Sequence, residues 1–479
     1  MLWSIIQTIG RQGATLLVFT VLALILSPAD FGILGIAMIL ITFGQAFSEM
    51  GFESALIQQR DIEEKDINTI MAVNILTGII LTICVIAASW YITAFFKTPQ
   101  AQPVAAALSL TFIINSFSIT QTAIIKREMK FKELTLRDIS ATILSGIVGI
   151  SLALTGFGVW SLVAQVLTGD ISRTFLIWKF STYRVDLTQF SRKSFERLWP
   201  YSSKMFAFNI FKYFAQNVDY ILIGYFLGPI ELGLYTFAYR LIINSTGTFV
   251  GSIGNYLFPK FSSIQDNLKS IRFTYISSIK TLNIILIPSV VFIIFLSPLI
   301  VPIVFGEKWQ PSINIIQILS TIVLIYPLWA ISGQLTKSLN RPGWLLNWSI
   351  FFTFICAVFI LSGIICANYR INGAAWGLTI AYFTCTPIIF FINKTLINLK
   401  LRDFLDMYMS PFLSSLLIIL LLEILSQYTN LSAVWVITLG MILGSCMYII
   451  GLVHIDKLFV FAVLTKIKKE FNLLRLNKP

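Results

Sequence analysis

Four cations and three acids stand inside long apolar runs of this chain, where a charge is least expected. The cations are Arg11, Arg173, Lys212 and Arg240; the acids are Asp170, Asp219 and Glu49. An ion near the centre of a bilayer costs about 2.5–3.5 kcal/mol on insertion scales, so such a residue faces a protein cleft, a partner or water. Asp170 and Arg173 are spaced i, i+3 and share a helical face, where they neutralise each other unless the arginine reaches a ligand. Lys212 and Arg240 have no acid three or four residues away, which leaves them free for a ligand. A helix boundary shifted by a turn or two would instead let Lys212 snorkel to the surface, and a smaller shift would do the same for Arg11. A cleft with surplus fixed positive charge suits an anion, and guanidinium groups grip phosphate oxygens two at a time. Asn74, Gln121, Gln165, Asn209, Gln216, Asn217, Asn244 and Gln317 either serve a hydroxyl-rich cargo or tie helix to helix.

Charges at depth need helices that cross a membrane to carry them. Of 479 residues, 57% are hydrophobic and 12% are charged, about half the charged share of a soluble domain. The apolar runs are 3–26, 31–50, 70–91, 104–125, 139–154, 160–178, 201–226, 232–258, 281–304, 313–336, 344–367, 374–392, 409–426 and 434–453. Most have the roughly 20 residues a helix needs to cross a hydrocarbon core of about 30 Å. The expected fold is therefore an all-α membrane protein with about fourteen transmembrane helices. The first run has no basic stretch before it and no evident cleavage site, so it reads as an uncleaved anchor. Pro288, Pro298 and Pro302 fall in the ninth run and invite a bend there.

The net charge of +13 would fit a nucleic-acid partner only if a water-facing domain gathered the basic residues, and no such domain is evident. Cys84, Cys356, Cys366, Cys385 and Cys446 lie in apolar stretches without metal-ligand spacing, and His454 is the single histidine. No metal, haem, disulfide framework or other cofactor is expected.

The basic residues segregate by side. Loops after even-numbered runs carry Arg60 and Lys65, the clusters 126–137, 179–204 and 260–280, Lys337 and Arg341, the cluster 394–402, and the tail from Lys457. The opposite loops carry only Lys97, Lys308 and Arg370. Basic residues are held on the cytoplasmic side, so both termini are expected there, in a bacterial inner membrane. The outer connections are short turns, and the inner stretch Ser191 to Trp199 is amphipathic and basic, suited to anionic head groups.

The sequence also repeats itself. Leu26-Ser27-Pro28-Ala29-Asp30-Phe31-Gly32-Ile33 is echoed by Leu227-Gly228-Pro229-Ile230-Glu231-Leu232-Gly233-Leu234, and Trp160-Ser161-Leu162 more weakly by Trp376-Gly377-Leu378. An even number of helices separates the copies, so the halves share one orientation about an axis along the membrane normal. Alternatively, Pro and Gly are simply what short turns use. On the repeat, residues 1–180 form an N-terminal six-helix lobe, 181–200 a cytoplasmic linker and 201–400 a second six-helix lobe. Residues 401–456 form two extra helices, and 457–479 a basic cytoplasmic tail.

The chain resembles the polysaccharide flippases of the multidrug/oligosaccharidyl-lipid/polysaccharide exporter superfamily, especially the exopolysaccharide and colanic-acid exporter branch. The likeness rests on Pro28-Ala29-Asp30-Phe31-Gly32-Ile33, on Glu49-Met50-Gly51-Phe52-Glu53-Ser54-Ala55-Leu56-Ile57-Gln58, and on Asn217-Val218-Asp219-Tyr220 with Ile223-Gly224. It also rests on Gly233-Leu234-Tyr235 with Ala238-Tyr239-Arg240. It implies two lobes in pseudo-two-fold parallel repeat, alternating access, and outward movement of an undecaprenyl-diphosphate-linked oligosaccharide. It further implies that Arg11, Arg173, Lys212 and Arg240 hold the diphosphate or an acidic sugar. Asp170, Asp219 or Glu49 would serve any coupling to H+ or Na+. Membrane lipids and the glycan polymerase machinery are the other implied partners. Two rivals make different demands. A cation-coupled multidrug exporter of the same superfamily wants acids and aromatics in its cleft. A membrane enzyme that polymerises or ligates glycans wants an outer-face constellation, yet the outer acids are only Asp30, Glu231 and Glu307.

Overall fold

Lipid offers no hydrogen bonds, so a chain of this composition must satisfy its backbone within helices. The computed structural model describes residues 2–48, 52–53, 56, 62–181, 183, 189–339, 342–366, 370–428 and 432–457. Among them there is no strand. The first helices are α1 (Leu2–Ile25), α2 (Pro28–Ser48), α3 (Glu64–Phe95), α4 (Ala101–Leu108), α5 (Leu110–Arg127), α6 (Phe131–Leu154), α7 (Val159–Phe180), α8 (Arg192–Leu227) and α9 (Pro229–Tyr239). After a π turn at Arg240–Asn244 come α10 (Ser245–Ser263), α11 (Leu268–Phe305), α12 (Ile313–Ser320), α13 (Tyr326–Ser338), α14 (Pro342–Cys366), α15 (Arg370–Ile397), α16 (Leu401–Tyr428) and α17 (Ala433–Ile455).

Among the described residues, nine helical stretches are long and apolar enough to cross a membrane. The pair Glu307–Leu324 and Tyr326–Ser338, bent by 44°, would make a tenth. Helix α7 is not among them although it runs for 22 residues. Composition sets it apart, because it carries Asp170 and Arg173. Helix α8 would be about 54 Å long at 1.5 Å per residue, well beyond a hydrocarbon core. Its first turns, 192–200, are part of the stretch expected as a linker. Ser191 caps them by accepting from the Ser194 amide, and Arg197 pairs with Asp66 on α3. Helix α11 continues unbroken through Pro288, Pro298 and Pro302.

The chain forms two compact units, one of Met1–Thr248 with Pro342–Ala381, the other of Phe249–Arg341 with Tyr382–Pro479. In the first unit a core of Leu40, Ile41, Val104, Leu108, Phe112 and Val163 joins α2, α4, α5 and α7. Large side chains such as Leu17 (71% exposed) and Ile83 (62%) point outward, as a lipid-facing surface requires. Helix α2 packs along both α8 and α9, with the Tyr213 hydroxyl donating to the Ile39 carbonyl at 2.8 Å.

In the second unit α16 and α17 pack on each other and on α11 around Leu296, Ile418, Leu422, Tyr448 and Leu452. An ionic clamp secures them. Lys280 of α11, counted from the sequence among the inner-loop lysines, is buried in the helix. Its Nζ lies 3.0 Å from Asp406 of α16 and 2.5 Å from Asp456 at the end of α17. Ser410 donates to Asp456 at 3.0 Å, and Arg272 pairs with Asp403 at 2.5 Å one element-end away. Removing the lysine leaves Asp456, 18% exposed, without its cation, while Asp406, 59% exposed, is solvated, so the loss falls below the figure of about 3–5 kcal/mol for a fully buried pair. Lys280→Ala is therefore expected to lower the thermal midpoint of the detergent-purified protein. Arg192→Ala, whose partner Glu196 is exposed, should leave it within error. Fluorescence-detected gel filtration after heating measures both.

Candidate functional site

Helix α7 opens at Gly158 and carries Asp170 and Arg173 one turn apart on the face toward α5. The Arg173 Nη1 donates to Asp170 Oδ1 at 2.8 Å, and Asn115 Nδ2 on α5 donates to the other carboxylate oxygen at 3.2 Å. Thr174 donates to the Ile114 carbonyl at 3.1 Å, fixing the same two helices. The intrahelical pair expected from the spacing is formed, and Asn115 adds a partner that spacing alone did not give.

The second group lies where α8, α9 and α1 meet. Asp219 of α8 is 4% exposed, and Tyr235 of α9 donates its hydroxyl to Asp219 Oδ2 at 2.7 Å. Tyr220, Tyr235 and Tyr239 surround this bond with ring centroids 5.6–5.7 Å apart. Arg240 begins the π turn, and its guanidinium carbon sits 4.6 Å from the centre of the Phe19 ring of α1. Among the described residues no carboxylate lies within 4.0 Å of Arg240, so an aromatic face stands where an ion pair would otherwise be. A π turn adds one residue to the ladder and re-aims the side chains around it, which is why such turns collect at functional sites. Asp219 and Arg240 are thus neighbours through Tyr220 and Tyr235 without forming a pair.

Arg11 falls in α1 and Lys212 in α8, but their side chains lie outside the described residues, as does Glu49. Of the polar residues expected on inner faces, several are engaged between helices or with backbone. Asn74 donates to Thr120 at 3.2 Å, Gln317 to the Ile294 carbonyl at 2.8 Å and Asn217 to the Tyr213 carbonyl at 2.9 Å. Gln121 accepts from Ser181. These serve packing, while Gln216 and Asn244 are exposed. The sequence reading missed Tyr235, whose place beside Asp219 depends on α8 folding back against α9. The Pro229 turn was the available signal. It also missed Lys280, which sits at the edge of its apolar run.

Long apolar helices and charges confined to a few polar ones define a multi-span helical membrane protein. Residues 21–314 match the family described as polysaccharide biosynthesis protein, and the chain belongs to that family. It is 25% identical over 421 residues to the lipopolysaccharide biosynthesis protein WzxC of Escherichia coli strain K12, covering 86% of this chain and 84% of that one. It is 23% identical over 379 residues to the teichuronic acid biosynthesis protein TuaB of Bacillus subtilis strain 168, covering 78% and 77%. Its fold is shared with the lipid II flippase MurJ in an inward closed conformation, with a TM-score of 0.77 at 17% identity over 95% of this chain and 99% of that one. The family and the two relatives bear out the resemblance read from the sequence motifs, and the likeness to MurJ shows the fold.

Losing the donor of a buried bond leaves its acceptor unsatisfied, which costs about 1–3 kcal/mol. Tyr235→Phe removes the hydroxyl that faces Asp219 and keeps the ring. It is expected to lower the thermal midpoint, and Asp219→Asn in the same chain should recover part of the loss, because a neutral amide suffers less from a missing donor. A double-mutant cycle on purified protein reads the coupling.

Proposed function

We propose that the protein is a flippase that moves undecaprenyl-diphosphate-linked oligosaccharide repeat units from the inner to the outer leaflet of the bacterial inner membrane. Movement is by alternating access, and the units feed exopolysaccharide or lipopolysaccharide synthesis. The observation that carries this reading is Arg240: a guanidinium deep in the chain, set on a π turn, stacked on Phe19 and without a carboxylate among the described residues. A cation kept unneutralised in lipid has its counterion brought to it, and a diphosphate suits a guanidinium. Arg11, Lys212 and Arg173 complete the anion-holding set in this reading, Arg173 by exchanging its Asp170 partner for cargo. Membership of a polysaccharide biosynthesis family, and relatives named for lipopolysaccharide and teichuronic acid synthesis, supply the glycan.

Residues 1–180 and 201–400 act as the two six-helix lobes, 401–456 as the extra pair, and both termini are cytoplasmic. Of about fourteen crossings, those of α7, α8 and α9–α10 are the polar ones. Coupling to H+ or Na+, if used, runs through Asp170, Asp219 or Glu49, and the released units pass to the polymerase machinery. No covalent step is involved, so the protein is a transporter and not an enzyme. A cation-coupled multidrug exporter is the second reading, favoured by the acid and three tyrosines at Asp219. Against it, that carboxylate is buried and already satisfied by Tyr235.

The test is reconstitution with a fluorescent undecaprenyl-diphosphate oligosaccharide. Charge-assisted bonds contribute about 1.5–3 kcal/mol each, so Lys212→Ala with Arg240→Ala should slow outward movement by roughly tenfold or more at equal expression. Unchanged movement would overturn the cationic assignment. In cells, deletion should trap lipid-linked units on the inner leaflet; exported but unpolymerised units would point to a polymerase.

A further inference from the structure

Where α10 ends and α11 begins, the chain forms a recess of about 400 Å³ that none of the roles above uses. Lys260 from the last turn of α10 lines it, together with Lys269, Ser270, Phe273 and Thr274 from the first turns of α11. Asn267 caps α11 by accepting from the Ser270 amide at 3.1 Å, so the start of a 38-residue helix stands at the recess with its partial positive charge. All of these residues belong to the second compact unit.

Two observations mark the recess as a place for an anion. Thr274 is 8% exposed and lines it, yet its hydroxyl has no hydrogen-bond partner among the described residues. A buried threonine in a helix ordinarily returns its hydroxyl to the carbonyl one turn back, as Thr281 does to Ser277 at 2.7 Å and Thr336 to Ser332 at 2.8 Å. Thr274 does not. Lys260 and Lys269 likewise form no ion pair among the described residues, although Asp266 stands three residues before Lys269. Arg272, by contrast, is taken by Asp403, and Lys280 by Asp406 and Asp456. The cations that face α16 and the end of α17 are paired, and the two at the recess are not.

An occupant of this recess meets an apolar border as well as positive charge. Phe273, 73% exposed, lines it, and Leu268 (49%) and Phe258 (40%) flank it along the chain. Helix α11 is about 57 Å long at 1.5 Å per residue, whereas its apolar run is 281–304. Thr274 stands about two turns before that run, on the side of the head groups rather than the tails. A soluble phosphate would leave Phe273 in water. A phospholipid brings both parts, a phosphate for the lysines and an apolar edge for the ring. From this arrangement we infer that the recess between α10 and α11 binds the head group of an anionic phospholipid, with Lys260 and Lys269 on the phosphate and Thr274 donating to one of its oxygens. The bound lipid bridges the two helix ends, and it is a resident of the membrane, distinct from any transported cargo.

Short-chain phosphatidylglycerol added to the detergent-purified full chain tests the site. It should raise the thermal midpoint saturably, because a ligand that binds only the folded state stabilises it. Phosphatidylcholine of the same chain length, and inorganic phosphate at the same concentration, should leave the midpoint where it is. Lys260→Gln with Lys269→Gln should weaken the apparent affinity at least tenfold. Thr274→Val, which keeps the shape and removes the hydroxyl, should weaken it about threefold or more. Neither lysine has a partner ion to abandon, so without lipid the double variant should melt with the native chain. Lys394→Gln with Lys400→Gln, exposed cations of the same unit, is the control and should bind as the native chain does. Affinity unchanged in the recess double variant, or lost equally in the control, means diffuse attraction to basic residues and overturns the site. An unchanged Thr274→Val overturns it too, leaving only surface charge. Protection by inorganic phosphate would assign the recess to a soluble anion, and equal protection by phosphatidylcholine to any lipid; either result overturns the head-group assignment.

Discussion

A buried ion must find its counterpart inside the protein, and the packing of the second unit follows from that demand. Lys280 draws two carboxylates from two further helices, and the last pair of helices is fastened to α11 as a result. Arg137 lies against Asp138 at 2.8 Å and also donates to Thr122 at 2.9 Å, joining α6 to α5. Lys126 reaches Glu53 at 2.6 Å. Where the cation is buried, as at Lys280 and Arg137, a charge that would be expensive alone becomes a fastener once paired, whereas the part-exposed Lys126–Glu53 pair contributes little. Arg240 departs from the pattern by resting on an aromatic face. A departure from a rule that its neighbours obey carries more information than obedience does.

The uncharged contacts answer to a different constraint. Lipid tails are as apolar as leucine, so helices do not associate by leaving water, and closeness of fit must replace the hydrophobic drive. Helices α2 and α9 achieve that fit with glycines, and their prolines are tolerated because each stands at a helix start, where the missing amide is not needed. The repeated Pro-x-x-x-Gly turn thus serves twice: it begins a helix, and four residues later it admits the backbone of its counterpart. Read as punctuation, it marks only a turn; read with its echo, it marks a contact.

What the sequence makes legible is whatever depends on neighbours within a turn or two. Most of the apolar runs fall in helices because about twenty successive residues decide each one, although 313–336 bends by 44° at Ile325, and the Asp170–Arg173 pair forms because i, i+3 geometry is a property of a single helix. The existence of a repeat is legible for the same reason. The touching of its copies is not, since Gly32 and Pro229 are brought together only by the packing of α2 on α9. Lys280 was hidden by its place at the edge of an apolar run, where a lysine is ordinarily a loop residue. Its partners Asp406 and Asp456 come from elements more than a hundred residues away. The π turn at Arg240 has no side-chain signature at all, because an extra backbone residue in a turn is set by tertiary packing around Phe19 and Tyr239.

These limits fall on the same helices that hold the candidate site, and there is a physical reason for it. Reading spans from hydropathy works best where a helix does nothing but face lipid, and α7 fails that test although it is long enough. A helix that must present Asp170, Arg173 or Asp219 to something other than lipid lowers its own apolar signal in proportion to its polar work. The helices that composition recognises least readily are then the ones whose side chains have somewhere else to look. In a membrane chain of 479 residues with only 12% charge, a shortfall of apolarity at adequate length is itself a pointer to the site. Among the described residues it singles out α7 before any distance is measured.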